Sequence, residues 1–377
     1  MNRKTIGIAA GVAAAVIVAV LFFVMQSQPQ NPIQPPSQNQ TQIQTTQNPK
    51  IGLVIWPPSE RPTVNDLHDA FLQAAPTGIG RSNVYISWPS IEPQQGQYNW
   101  KIYDIIMGMN REQHLDVTLY FSIINNEAFG PFPSWLGTPN LDQNLANETA
   151  NTLDSILSRY YIVDYVIIGG NIDSYFKDHP KDIPKYVDFF NSVYTKVKEK
   201  HPNVKLGNWF SLNNVVTKYE GDLVGNLTQG DFVAYSYAPV DLTYYENNSP
   251  DVEGQNLQKM LDYAGGKKIG LVEVGWATDK AINGTKDDQV KFMKIVFDFY
   301  RKNQSQFDFL TWYRQYDRPF DTCYSGLNTN VQTGFDAQIL MNNTATYLCG
   351  AGLVDINKNP KPAWDEFTRQ IAMTPNS

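Results

Sequence analysis

The chain has 377 residues, a net charge of −7, and 8 Trp, 21 Tyr and 19 Phe. That length accommodates one large domain or two small ones, and the aromatic content suits a packed core with a ligand-stacking cleft rather than a disordered chain. The negative charge argues against nucleic acid as a partner, and without a CxxC, HExxH or P-loop motif, and with four scattered His, neither a metal nor a cofactor is expected.

Arg3 and Lys4 precede an apolar run, IGIAAGVAAAVIVAVLFFVM (6–25), of about the length that spans a bilayer. The run is long for a signal-peptide core, and no small-x-small cleavage site follows, which favours an uncleaved anchor over a cleaved signal. The positive flank stays in the cytoplasm, so the body is exported, tethered if the anchor stays and secreted if it is cut. Residues 26–50 are Gln, Pro, Asn and Thr with almost no charge, a composition that cannot bury a core and reads as a tether. The expected organisation is a cytoplasmic stub and anchor (1–25), a linker (26–50) and a folded body (51–377).

Short β-branched or aromatic runs then alternate with longer amphipathic segments. The predicted strands are IGLVIW (51–56), SNVYISW (82–88), LDVTLYFSI (115–123), VDYVIIG (163–169), VKLGNWF (204–210), DFVAYSYA (231–238), KIGLVEVGW (268–276) and FDFLTWYRQYD (307–317). Predicted helices occupy 64–74, 100–112, 141–160, 183–200, 256–264 and 286–302, with a last one at 363–372; the segment between the fifth and sixth strands has no clear assignment. Eight strands alternating with helices predict a parallel sheet, closed as a (β/α)8 TIM barrel. An open doubly wound sheet is the alternative, weakened because no glycine-rich phosphate loop follows the first strand.

Active sites of such barrels form at the C-terminal strand ends. The polar and aromatic residues there are Trp56, Trp88, Asn125, Asn171, Asp173, Trp209, Tyr235, Tyr237, Glu273, Trp276, Trp312 and Asp317. Glu273 stands out, because a glutamate in an apolar strand is costly to bury unless it is paired or functional. Trp276 and Trp312 nearby would offer faces for sugar rings, although each Trp could equally be core. Cys323 and Cys349, the only cysteines, predict one disulfide in an oxidising compartment, pinning the insertion after the eighth strand as a wall of the cleft. Sequons at Asn39, Asn147, Asn226, Asn247, Asn283, Asn303 and Asn342 permit a glycosylated surface.

Four passages carry a resemblance. They are YISWPSIEPQQGQYNWKIYD (85–104), with Trp88, Glu92, Pro93, Gly96, Tyr98, Asn99 and Trp100; FPSWL (132–136); VEVGWAT (272–278); and GLVDINKNPKPAWDEF (352–367), with Lys361, Pro362 and Ala363. In this order they resemble the clan of retaining (β/α)8-barrel glycoside hydrolases, nearest to its endo-β-1,4-galactanase and β-glucanase branches. The resemblance implies that Glu273 is the nucleophile and that a second carboxylate, the acid/base, ends the fourth strand. A retaining pair lies roughly 5–5.5 Å apart.

Here the sequence departs from the pattern. The fourth strand of the clan typically ends Gly-Asn-Glu, whereas this chain has GGNIDSYF (169–176). Laid without gaps, Asn171 takes the place of the glutamate; a one-residue slip puts Ile172 there. Three readings stay open. Asp173 has taken over as acid; or an acid comes from Glu127 or Asp317; or there is none, and loss of a general acid, typically worth 10²–10⁴-fold, leaves a glycan-binding pseudoenzyme. Glu92 carries little weight, since in the clan's pattern it belongs to a structural turn. The sequence thus predicts an exported protein acting on β-linked glycans, either as a hydrolase with Glu273 and Asp173 or as a binding module. Trp88, Trp209, Tyr235, Tyr237, Trp276, Trp312 and Asp317 are its candidate sugar contacts, with Arg314 beside Asp317 as a further one.

Overall fold

The apolar runs become eight parallel strands: β1 (Asn48–Leu53), β2 (Ile79–Tyr85), β3 (Asp116–Asn125), β5 (Val163–Gly170), β6 (Lys205–Ser211), β7 (Phe232–Tyr237), β8 (Lys268–Val274) and β9 (Phe307–Trp312). The short strand β4 (Ala128–Phe129) folds back antiparallel on β3. This computed structural model describes residues 46–218, 220–327 and 335–376. The expected anchor (6–25), most of the linker and the Asn39 sequon lie outside them. Among the described residues no helix is long and apolar enough to cross a membrane.

The strands pair in the order β2-β1-β9-β8-β7-β6-β5-β3, and β2 also pairs with β3, which closes the barrel. The predicted closed (β/α)8 architecture is therefore the observed one. Helices start where the sequence supplies caps: Thr63, Asp142 and Thr285 each accept a backbone N–H of the first turn through their side chains. The unassigned segment after β6 forms two short helices, Leu212–Thr217 and Gly221–Asn226.

Two apolar layers result. Inside the barrel pack Val54, Tyr85, Tyr120, Tyr165, Trp209, Phe232, Val272 and Phe309. A larger layer between strands and helices holds, among others, Tyr235, Trp276, Phe292, Trp312 and Phe367. The floor of the barrel is charged but paired. Arg81, almost fully buried, donates to Asp164 at 2.6 Å and to the Pro49 carbonyl at 2.9 Å, with its guanidinium over the Tyr165 ring at 4.7 Å. Both ends of the body meet at this floor: Asn48 donates to the Thr374 carbonyl at 3.2 Å, and Asn376 donates to the Gln47 carbonyl at 3.2 Å.

At the opposite end, helices Phe320–Gly326 and Phe335–Gly350 stand beside the mouth, joined by the Cys323–Cys349 disulfide. They share a third apolar cluster with Val240, Tyr245 and Tyr313. One sequon is closed by the fold: Asn247 is buried and its amide donates to the Ala277 carbonyl at 2.9 Å, which leaves no room for a glycan.

Candidate active site

Two strands deliver the central side chains, and each is irregular just before it does so. Along β8, Leu271 pairs with Tyr235 but Glu273 pairs with the very next residue, Ser236, so β8 carries one extra residue. Such a bulge shifts the in–out alternation and re-aims the following side chain. Val272 faces the barrel interior and Val274 the helix layer, and Glu273 is turned into the mouth. In β5 the same happens relative to β6: Ile167 pairs with Gly207, and Gly169 with Asn208. After β5 the chain turns at Asn171, whose φ of 46° lies in the left-handed region that Asn tolerates better than most residues.

Glu273 and Asn171 line one cleft, together with Ser211, Asn213, Ser236, Tyr237, Tyr245, Tyr313 and Tyr347. Glu273 is 3% exposed, and its carboxylate accepts the Tyr85 hydroxyl. Burial raises its pKa from 4.5 to about 7, against the opposing pull of that hydrogen bond and of the Arg314 charge. The Asn171 amide donates to Asn126 Oδ1 at 3.0 Å, and its oxygen accepts Ser236 Oγ at 3.3 Å. Among the described lining residues Glu273 is the one carboxylate.

The walls are aromatic, built mainly from residues that the sequence reading did not single out. Tyr347 and Leu348 come from the disulfide-bonded helix, and the Tyr347 hydroxyl donates to the Gly275 carbonyl at 2.7 Å. Tyr245 sits at a φ of 60°, strained for a bulky residue. Its loop is held by Asp241, whose carboxylate accepts the backbone N–H groups of Thr243, Tyr244 and Glu246 at 2.8–3.0 Å. Since Cys349 follows Leu348 directly, the bridge ties down this wall. Reduction is expected to raise amide exchange along Phe335–Gly350 and weaken binding in the cleft; unchanged exchange and affinity would show that the apolar cluster alone holds the wall.

Of the expected sugar contacts, Tyr237 lines the cleft, with its hydroxyl committed to Glu253. The others lie elsewhere. Trp276 and Trp312 pack on Phe292 at 5.2 and 6.1 Å in the helix layer, and Tyr235 belongs to the same layer. Trp209 fills the barrel interior against Tyr120 at 4.9 Å. Trp88 opens a helical turn, Trp88–Ile91, and donates to Glu92 at 2.9 Å. Glu92 also accepts Thr152 at 2.7 Å and the Gly96 N–H at 2.8 Å, so it is the hub of a turn. Asp317 pairs with buried Lys361 at 2.8 Å and accepts the Gly352 N–H at 2.9 Å. Glu127 is exposed in the β3–β4 turn, and Ile172 is buried in the core.

Asp173 is buried behind the cleft. Its two oxygens accept the Ser211 N–H at 2.9 Å and the Asn214 amide at 3.0 Å, tying the helix Ile172–Asp178 to the end of β6 and the helix after it. Truncation would orphan the Ser211 N–H and leave the Asn214 amide only Ser174 Oγ at 3.4 Å. Asp173→Ala is expected to cost about 2–3 kcal/mol in denaturant unfolding, with kcat on any activated substrate changed less than about threefold. A large kcat loss with intact stability would return Asp173 to the chemistry.

No family model matches the chain, and no curated protein does. Solved structures with the same fold do. One is a GH5_18 glycoside hydrolase from Bifidobacterium longum in complex with Manβ1-4GlcNAc, 15% identical over 86% of this chain and 78% of that one, with a TM-score of 0.64. Another is a GH5_18 glycoside hydrolase from Streptomyces cattleya, also with Manβ1-4GlcNAc, 14% identical over 86% and 80%, TM-score 0.61. Xylanase 10B from Thermotoga maritima is 15% identical over 86% of this chain and 95% of that one, TM-score 0.57. At these identities the shared property is the fold.

Proposed function

We propose that the protein acts on β-linked glycans as a retaining glycoside hydrolase that keeps its nucleophile, Glu273, and has no general acid. The carrying observation is that Glu273 is the one carboxylate among the described lining residues of a tyrosine- and amide-walled cleft. The barrel's likeness to glycoside hydrolases that hold Manβ1-4GlcNAc supports the glycan reading.

In this reading the glycan lies against Tyr237, Tyr313 and Tyr347, whose faces pack on sugar C–H groups. Glu273, oriented by the Tyr85 hydroxyl, attacks the anomeric carbon; the C–O bond to the leaving group breaks as the Glu273 ester forms, and water later releases the sugar. Asn171 holds the place from which an acid would protonate the leaving oxygen. An amide gives no proton, so a poor leaving group departs as an alkoxide and turnover of ordinary glycans is slow. The protein then spends most encounters holding glycan rather than cutting it. The N-terminal run (6–25) would keep it on the outer side of a membrane, at the end of the linker (26–50).

The test is a panel of β-glycosides offered to the full-length protein. Dinitrophenyl glycosides, which need no protonation, are expected to turn over, and alkyl glycosides of the same sugar at least about 100-fold more slowly. Asn171→Glu is expected to narrow that gap by restoring a proton donor. If the folded protein turns over no dinitrophenyl glycoside of any sugar, Glu273 is not a nucleophile and only glycan binding remains to be measured.

A further inference from the structure

A second pocket opens beside the cleft between the ends of β1 and β2. Its walls are largely apolar, with Ile55, Phe71, Val84 and Ile106 among them, yet Arg314 and Arg318 also line it. They are only 4% and 5% exposed. Arg314 places one nitrogen on the Tyr313 hydroxyl at 2.9 Å and stacks on that ring at 4.6 Å. Its Nη1, and Nε and Nη2 of Arg318, are buried without a hydrogen-bond partner, as is the indole N–H of Trp56 in the same pocket.

Arg81 shows how this chain buries a guanidinium when the purpose is structural: it supplies a carboxylate at 2.6 Å, a carbonyl and a hydroxyl. Neither Arg314 nor Arg318 has an ion pair within 4 Å among the described residues; the carboxylates that feel the Arg314 charge, Glu273 and Asp317, are committed to Tyr85 and to Lys361. The acidic group that acts on Arg318 is Glu60, which is exposed and accepts the Thr322 hydroxyl at 2.8 Å. Two like charges side by side in a low-dielectric pocket repel each other, and each has lost its water. The strain shows in Arg318, whose pKa is pushed down to about 10 by burial and then by the Arg314 charge. Four buried, unpartnered N–H-bearing atoms on three residues that line one pocket suggest what would relieve it: an oxyanion with several acceptor lone pairs.

The pocket and the cleft lie on two sides of one wall. Tyr85 lines the pocket on one side and gives its hydroxyl to Glu273 on the other, and Arg314 stacks on Tyr313, which lines the cleft. We propose that this pocket seats the acidic substituent of the glycan, the carboxylate of a uronic acid or a sulfate ester, so that the protein selects acidic over neutral glycans. The proposal takes the sugar body from the function proposed above and the charge from the two arginines.

The test is calorimetric titration of the full-length protein with glucuronate, glucose 6-sulfate, glucose and inorganic sulfate. At least one acidic sugar is expected to bind roughly 10-fold or more tightly than glucose, and which one does assigns the group. Arg318→Met and Arg318→Gln are both expected to erase that preference. Arg318→Met should be no less stable than the parent without ligand, because it removes an unpaired buried charge. Equal affinity for acidic and neutral sugars overturns the proposal, as does a preference that survives in both variants. Binding of inorganic sulfate without either acidic sugar means an adventitious ion only, and also overturns it. The titration reads binding without turnover, so failure of Glu273 as a nucleophile leaves this outcome intact, and a neutral glycan bound in the cleft without acid preference sinks this proposal alone.

Discussion

Glu273→Gln is expected to abolish turnover of dinitrophenyl glycosides, by about 10³-fold or more in kcat, while making the protein more stable at alkaline pH. Both effects follow from one burial. The side chain sits in the mouth with the Tyr85 hydroxyl as its hydrogen-bond partner, and its pKa rises from 4.5 to about 7. Because the folded pKa lies above the unfolded one, the folded state holds the proton more tightly. That advantage is full below pH 4.5 and is lost as pH rises through 7. Above 7 the buried charge withdraws about 3 kcal/mol from folding. Gln carries no charge, so its denaturant midpoint should match the parent near pH 4–5 and exceed it at pH 8. The parent's kcat should rise with the carboxylate fraction, reaching half its plateau at about pH 7 and levelling off about one unit higher. A variant that keeps its activity, or a stability difference independent of pH, would contradict the assignment of Glu273 as an ionisable nucleophile.

The largest stability effect is expected at Gly170. A Cβ there would lie 1.4 Å from the Tyr120 hydroxyl and 2.4 Å from its ring. Tyr120 cannot swing aside, because its ring packs on Tyr85 at 5.2 Å and on Trp209 at 4.9 Å inside the barrel. The backbone of β5 would have to move instead, and Asn171, the next residue, would move with it. Gly170→Ala is expected to cost about 3 kcal/mol or more, at the upper end of what overpacking does, and to disturb the cleft. Gly108 is the control. It lies on the helix Lys101–Glu112, where an added Cβ meets nothing within 4 Å. Gly108→Ala should stabilise by about 0.5–1 kcal/mol. Denaturant midpoints of the two variants, side by side, check both statements, and a Gly170→Ala as stable as its parent would mean the tyrosine packing is looser than described.

The barrel was legible in the sequence because its signal is periodic and repeated. Each strand is an apolar run, each helix an amphipathic one, and eight repetitions leave little choice of topology. Glu273 was legible as a polar residue in an apolar run. The walls of its cleft were not, because which neighbour faces the mouth depends on phase. At the end of the eighth barrel strand Trp312 and Tyr313 are adjacent; Trp312 turns to the helices and Tyr313 to the cleft. The bulge in β8 that turns Glu273 into the mouth sends Val272 and Val274 to opposite layers, although in sequence they flank it like two residues of one face. Asp173 read as an acid because an extended backbone would carry it to the side of Asn171, but the chain is already helical there, from Ile172 to Asp178. Tyr245, Tyr347 and Arg318 belong to loops and to the insertion, where no clear period exists to read, whereas Arg314 was picked out beside Asp317 but as a sugar contact, not as a wall of a second pocket.

The meeting of the two chain ends at the floor of the barrel fixes a direction. The body begins at β1 beside the C-terminal residues, and every parallel strand runs from that floor towards the mouth. Gln47 and Asn48 therefore lie on the side of the barrel opposite the cleft. Glu273 and the arginine pocket open at the pole of the body farthest from the paired residues Asn48 and Thr374, so a ligand reaches them without meeting either end of the folded body.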